Sequence, residues 1–190
     1  GDTNQTWDVF VYDRRSRTTT RVSLSTRGAQ ANGTSYESAS PSISADGRYI
    51  AYYSLASNLV AGDTNNAWDV FVTDRATHAT KRFSRATSGA QGDDSSFVPA
   101  ISADGRAIMY WSLASNLVPG DTNGTGDTFV TDRVTGRTTR VSVASDGTQA
   151  DTLSYSGSIS GNGRYVAYQS FATNLVPGDT NESTDVFVYD

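Results

Sequence analysis

Four stretches of the chain share one acidic pattern, Asp-Thr-Asn followed after three intervening residues by a second Asp. The copies are Asp2/Asn4/Asp8, Asp63/Asn65/Asp69, Asp121/Asn123/Asp127 and Asp179/Asn181/Asp185. Two carboxylates and a side-chain carbonyl on one tight loop are hard oxygen donors. Calcium takes six to eight such oxygens at about 2.3–2.6 Å, so Ca2+ is the cofactor expected here, with these twelve residues as candidate ligands. The residue two beyond each Asn is Thr6, Ala67, Thr125 or Ser183, so the second copy can offer only a backbone carbonyl there. The full calcium-loop signature, with its fixed Gly and distal Glu, is not met. Asp and Asn also bond their own backbone in Asx turns, and a leading Gly suits a tight turn, which is the competing structural reading. Eight of the 18 Asp fall in these four loops, and carboxylates that close repel unless something compensates.

Other reactive types are sparse. The single His78 lies in a short polar turn, and no Gly-x-Ser-x-Gly elbow accompanies it, so a Ser-His-Asp triad is not expected. Asp13, Asp74, Asp132 and Asp190 end apolar strands, the first three before Arg14, Arg75 and Arg133, and an acid–base pair there anchors a turn. Glycosidase-type carboxylate pairs would need one special pair, whereas these acids recur at equivalent positions. Asn4, Asn32, Asn123 and Asn181 fall in N-x-[ST] sequons, three of them by-products of the repeated phrase. Trp7, Trp68, Tyr52, Tyr110, Trp111 and Tyr168 recur at strand positions and are expected to pack between repeat units, with sugar stacking as the alternative for an exposed ring. No catalytic residue is expected and the chain reads as a non-enzyme.

Composition narrows the class. In 190 residues there are 18 Asp against two Glu, 14 Arg against one Lys, and no Cys. Helices favour Glu and Lys while Asp favours turns, which points to a turn-rich all-β chain. Disulfides and thiolate metal sites are excluded. A net charge of −5 with no basic stripe argues against nucleic acid. No apolar run approaches the roughly 18 residues of a membrane span. The chain begins without Met or a signal-peptide pattern, which reads as a processed product or an excised piece.

The acidic phrase belongs to a longer repeat. "GDTN" begins at Gly1, Gly62, Gly120 and Gly178, which sets units 1–61, 62–119 and 120–177 and a partial fourth, 178–190. "DVFVYDR" at Asp8 returns at Asp69, Asp127 and Asp185; "TTTRVSLS" at Thr18 returns at Ala79 and Arg137; "PSISADGRYIAYYS" at Pro41 returns at Pro99 and Gly157. Each unit predicts four short strands, numbered by their place in a blade: in the first unit Ser42–Ala45 is a first strand, Tyr49–Ser54 a second, Val9–Tyr12 a third and Thr19–Leu24 a fourth. Asp46-Gly47 suggests a type I′ hairpin. Four antiparallel strands at a fixed period describe a β-propeller blade, so the expected fold is all-β, a β-propeller with about three blades per chain in a single domain. "SISADGRYIAY…DVFVYD…TTRVS" resembles the WD40-like, TolB-type propeller repeat, although a period near 58 residues exceeds the usual length of about 40–50. The extra length lies in Ser54–Trp68 and Ser25–Ser40, connections that leave a blade on the same face, the candidate binding face.

The chain starts and stops on the same thirteen-residue phrase, and three wedges do not fill a circle. A head-to-tail homo-oligomer, or completion by neighbouring subunits through the terminal blade strands, is therefore expected. The functional expectation is a non-catalytic binding or scaffold module, calcium-stabilised, with a protein or carbohydrate ligand on the long-loop face. The resemblance implies an extracellular or periplasmic setting of prokaryotic type. The alternatives are a self-assembling ring or filament protein and the propeller portion of a secreted hydrolase.

Overall fold

A computed structural model describes residues 2–35 and 41–190, the side chain of residue 156 aside. Among the described residues all regular structure is β. Strands β1 (Phe10–Asp13) and β2 (Thr18–Arg21) form a two-stranded sheet. Strands β3 (Ser42–Ile43), β4 (Tyr49–Ser54), β5 (Asp69–Asp74) and β6 (Ala79–Arg82) form a four-stranded one. The second four-stranded sheet holds β7 (Ser96–Ile101), β8 (Ala107–Ser112), β9 (Asp127–Asp132) and β10 (Thr138–Arg140). The last sheet has three strands, β11 (Ser154–Ile159), β12 (Val166–Ser170) and β13 (Asp185–Tyr189). Pairing is antiparallel and sequential throughout. The chain is thus an arc of two whole blades, flanked by the outer half of one and the inner three strands of another.

Two local expectations are corrected. The fourth strand of the first unit stops at Arg21 rather than Leu24. Val22 N–H still donates to Val9 O, but Val9 N–H donates to the Ser23 hydroxyl rather than to a carbonyl, and Leu24 forms only an isolated bridge with Gln30. The Asp-Gly hairpins are not type I′, since only Gly47, Gly105 and Gly163 have positive φ, between 70° and 72°. Gly47 N–H donates to Ser44 O, while the Asp46 carboxylate accepts from Ser44 Oγ and Arg48 N. The Asp closes the turn through its side chain and Gly supplies the left-handed residue that follows it.

Packing explains why strands three and two are apolar on both faces. Val9, Val22, Ile50, Tyr52 and Phe71 fill the first blade interface. Tyr49, Val70, Val72, Phe83, Tyr110 and Phe129 fill the second. Met109, Val141, Val166 and Tyr168 fill the third, with Phe187 against them. Tyr52 and Tyr110 are fully buried and bond Thr73 and Thr131, while burial raises both phenols to about 12. Threonine hydroxyls stitch one blade to the next: Thr73 Oγ1 donates to Val22 O, and Thr80 Oγ1 to Leu24 O.

Candidate functional site

The acidic loops sit where the third strand begins, and in three copies the same partners meet them. In the second copy Arg82 Nη1 lies 3.1 Å from Asp63 and 3.0 Å from Asp69, and Ser84 Oγ donates to Asp69 at 2.5 Å. Arg140 lies 3.2 Å from Asp121 and 3.6 Å from Asp127, which accepts from Ser142. Arg21 lies 3.6 Å from Asp2 and 3.1 Å from Asp8, which accepts from Ser23. In these three loops the Asn side-chain amide donates to a main-chain carbonyl, Asn4 to Ala31, Asn65 to Gly92 and Asn123 to Ala150, and Asn123 donates to Asp127 as well. In the fourth copy Asn181 donates to Asp185, and no arginine reaches Asp179 or Asp185 among the described residues.

This donor set does not fit calcium in the first three loops. A dication there would face a guanidinium already set between the two carboxylates, and the Asn carbonyl group is turned into an Asx turn in the second and third copies. No group of three or more His, Cys, Asp or Glu side chains that could hold a metal ion occurs among the described residues. The compensating cation that the clustered acids require is arginine. Compensation is incomplete at the third loop, where burial and then the Asp127 charge push Asp121 up to about 6; Asp63 is raised by burial and then by the Asp69 charge.

The strand-end acids are structural, with a different partner from the adjacent arginine. Asp74 takes both arms of Arg48 at 2.8 Å, Asp132 takes Arg106, and Asp190 takes Arg164. Arg48 holds the Asp74 carboxyl well below its usual range. Arg75 and Arg133 turn instead to the carbonyls of Gly47 and Gly105. His78 occupies a left-handed turn position, φ 57°, filled by Arg17 and Gly136 in the other units.

The face carrying the long connections holds a feature that spacing alone did not reveal. Tyr53, Trp68, Phe97, Trp111, Tyr155 and Phe171 form a continuous row, with neighbouring ring centroids 5.3–6.4 Å apart. Each lies where a second strand ends, a third begins or a first begins. Gly126 leaves room for Trp111, because a Cβ there would collide with the indole. Leu55, Leu113 and Phe171, the residue after the second strand in each unit, stand 40%, 41% and 44% exposed on the same face. Trp68 and Trp111 belong to the expected aromatic set, whereas Tyr53, Phe171, Phe97 and Tyr155 lie outside it. Phe97 and Tyr155 fall in the most variable part of the repeat, and only the fold brings them beside neighbours from adjacent blades.

The loops that join the strands of this row are tied down by side-chain hydrogen bonds. Asn58, Asn116 and Asn174 each donate to the carbonyl of Gln30, Gln91 or Gln149 and accept from Asn32, Asp93 or Asp151. Asp93 and Asp151 in turn take the backbone and hydroxyl of Ser115 and Thr173. The face is therefore pre-organised, which lowers the ordering cost of binding.

Comparison of the sequence with family models and with curated proteins gives no match. Comparison of the structure does. TolB from Acinetobacter baumannii is 18% identical with a TM-score of 0.53, covering 96% of this chain and 35% of TolB. The tricorn protease is 14% identical with a TM-score of 0.52, covering 97% of this chain and 15% of the protease. The chain thus spans about a third or less of either protein, and at these identities the likeness concerns fold. Blade for blade, the chain has the fold of a TolB-type β-propeller.

Proposed function

We propose that the chain is a non-catalytic binding or scaffold module, set in an extracellular or periplasmic protein, whose arc is completed by self-association or by other subunits. The aromatic row on the long-loop face carries this reading. The exposed Phe171, Leu55 and Leu113, with Trp68, Phe97, Trp111 and Tyr155 half-buried in the same row, form an apolar surface of the kind that anchors a polypeptide or stacks a saccharide. Trp68 and Trp111 are built-in reporters. Titration with soluble glycans and with apolar peptides should change tryptophan emission saturably for one class, and Phe171→Ala with Leu113→Ala should abolish the change. No response to either class would overturn the reading.

The second reading is the propeller portion of a secreted hydrolase, favoured by the likeness to the tricorn protease. A panel of peptidase, esterase and glycosidase substrates separates the two, and the binding reading expects no turnover. Calcium has a separate test. A site filled at 100 times its dissociation constant would add about 2.7 kcal/mol. Arginine in the acidic loops predicts instead that melting is unchanged by EDTA or by millimolar Ca2+.

A further inference from the structure

The two faces of the blades carry opposite charge. The long connections hold nine acids against Arg27 and Arg85, whereas the short turns hold nine arginines against Asp46 and Asp104. Residues 83–153 show it by themselves, with five acids and Arg85 in their long connections and three arginines and Asp104 in their short turns. Arg85 turns away from the long-loop side, its guanidinium lying beside Gly136 in a short turn. We propose that the aromatic row binds a polypeptide segment whose apolar side chains meet Leu113 and Phe171 and whose lysines or arginines meet Asp93, Asp94 and Asp151. This rests on the reading above that the long-loop face binds a ligand, and it names the class of that ligand.

Ring geometry separates polypeptide from saccharide. A sugar lies flat on an open aromatic face, where its C–H groups meet the negative side of the ring. Phe97 is stacked on Trp111 at 5.3 Å and 28°, and Trp68 and Tyr155 flank that pair with tilts of 35° and 32°. The ring faces are thus turned to one another along the row. What remains outward is ring edge, together with the exposed side chains of Leu113 and Phe171. Edges and aliphatic groups pack against the side chains of a polypeptide and give a sugar no platform.

The charges then select among polypeptides, because each of these two apolar points has a carboxylate next to it. Asp93 accepts from the N–H and hydroxyl of Ser115, two residues beyond Leu113, and Leu113 N–H donates to Ser95 O, just past Asp94. Asp151 accepts in the same way from Thr173, two residues beyond Phe171, whose own N–H donates to Leu153 O. All three acids are exposed, and no arginine or lysine bridges them among the described residues. They differ in this from Asp63, Asp69, Asp121 and Asp127, which share Arg82 or Arg140. The Asp93 charge is also among the causes that raise Asp121, so uncompensated charge on this face acts from one repeat to the next. Unpaired carboxylates beside an apolar strip attract cationic groups on an apolar chain and repel anionic ones, while a neutral saccharide has no charge to answer them.

The test uses three short peptides with the same spaced leucines, carrying lysine, serine or glutamate between them, and a soluble glucan oligosaccharide. Each is titrated into the whole chain and followed by tryptophan emission. The lysine peptide should bind saturably, the serine peptide about tenfold more weakly, and the glutamate peptide and the oligosaccharide not at all. Raising salt from about 20 mM to about 0.5 M should weaken the lysine peptide about tenfold, because exposed charges are screened. Asp93→Asn, Asp94→Thr and Asp151→Asn together should bring the lysine peptide down to the level of the serine peptide. Other units already carry Asn32 and Thr152 at the equivalent positions, so the fold accommodates these side chains. Equal affinity for the lysine and glutamate peptides overturns the cationic partner and leaves a binding face standing. So does preference for the oligosaccharide, or a lysine peptide indifferent to salt or to the triple replacement. Lysine-peptide binding that survives Leu113→Ala with Phe171→Ala is charge attraction without the row and overturns the proposal as well. Silence from all four probes overturns both the partner and the face.

Discussion

Arg82 is nearly buried between two carboxylates, one of which, Asp69, has no exposed side-chain surface. Truncating it leaves two acids facing each other without a cation, so Arg82→Ala should destabilise the fold by about 3 kcal/mol or more in urea unfolding. Asp121 shows the cost of the same arrangement. Its ordinary value is 3.8, and burial with the Asp127 charge raises it to about 6 in the folded chain. An acid raised on folding binds its proton more tightly in the native state, so stability present at low pH is lost as pH rises from about 4 to about 6. Relative to Asp121→Asn, the wild-type chain should therefore lose stability across that window and run parallel above it. Asp74 works in the opposite sense: held low by Arg48, it contributes stability that is lost as pH falls below its ordinary range.

The turn between the third and fourth strands needs one left-handed residue, occupied by Arg17, His78 and Gly136. An L-residue is strained there and glycine is not, so His78→Gly should raise stability by about 0.5–1 kcal/mol, readable as a higher melting temperature. The solitary histidine is thus a turn residue in a strained place. The same comparison shows how much of these elements was legible in the sequence. Strand order and hairpin sites follow from alternating apolar residues and the recurring Asp-Gly and Asn-Gly pairs, which are local properties. The turn departs from type I′ because the Asp46 side chain, bonded to Ser44 and Arg48, holds it without a left-handed φ at Asp46. The arginine bridges are not legible although Arg-x-Ser repeats in step with the acids, because Arg82 lies 13 positions beyond Asp69 and only the β5–β6 pairing joins them. The aromatic row was the least legible, being assembled from strands of neighbouring blades.

Among the described residues the β1–β2 sheet has the fewest strands, and successive blades are held by contacts between them. A two-stranded ribbon is marginal on its own. Limited trypsin should accordingly cut at Arg14, Arg15 or Arg17 well before any other site and release the N-terminal segment, while the two four-stranded sheets survive; mass spectrometry of the early digest would read this directly. The polar network around Gln91 has a wider consequence. Thr64, Arg82, Gln91, Asp93 and Asn116 bond one another or one another's neighbours wholly within residues 62–119, yet that unit runs from the third strand of one blade to the second strand of the next. Each repeat is therefore a staple across a blade boundary. Duplicating or deleting a unit at a "GDTN" seam carries a finished joint with it, so such an arc can change length by recombination without inventing a new interface.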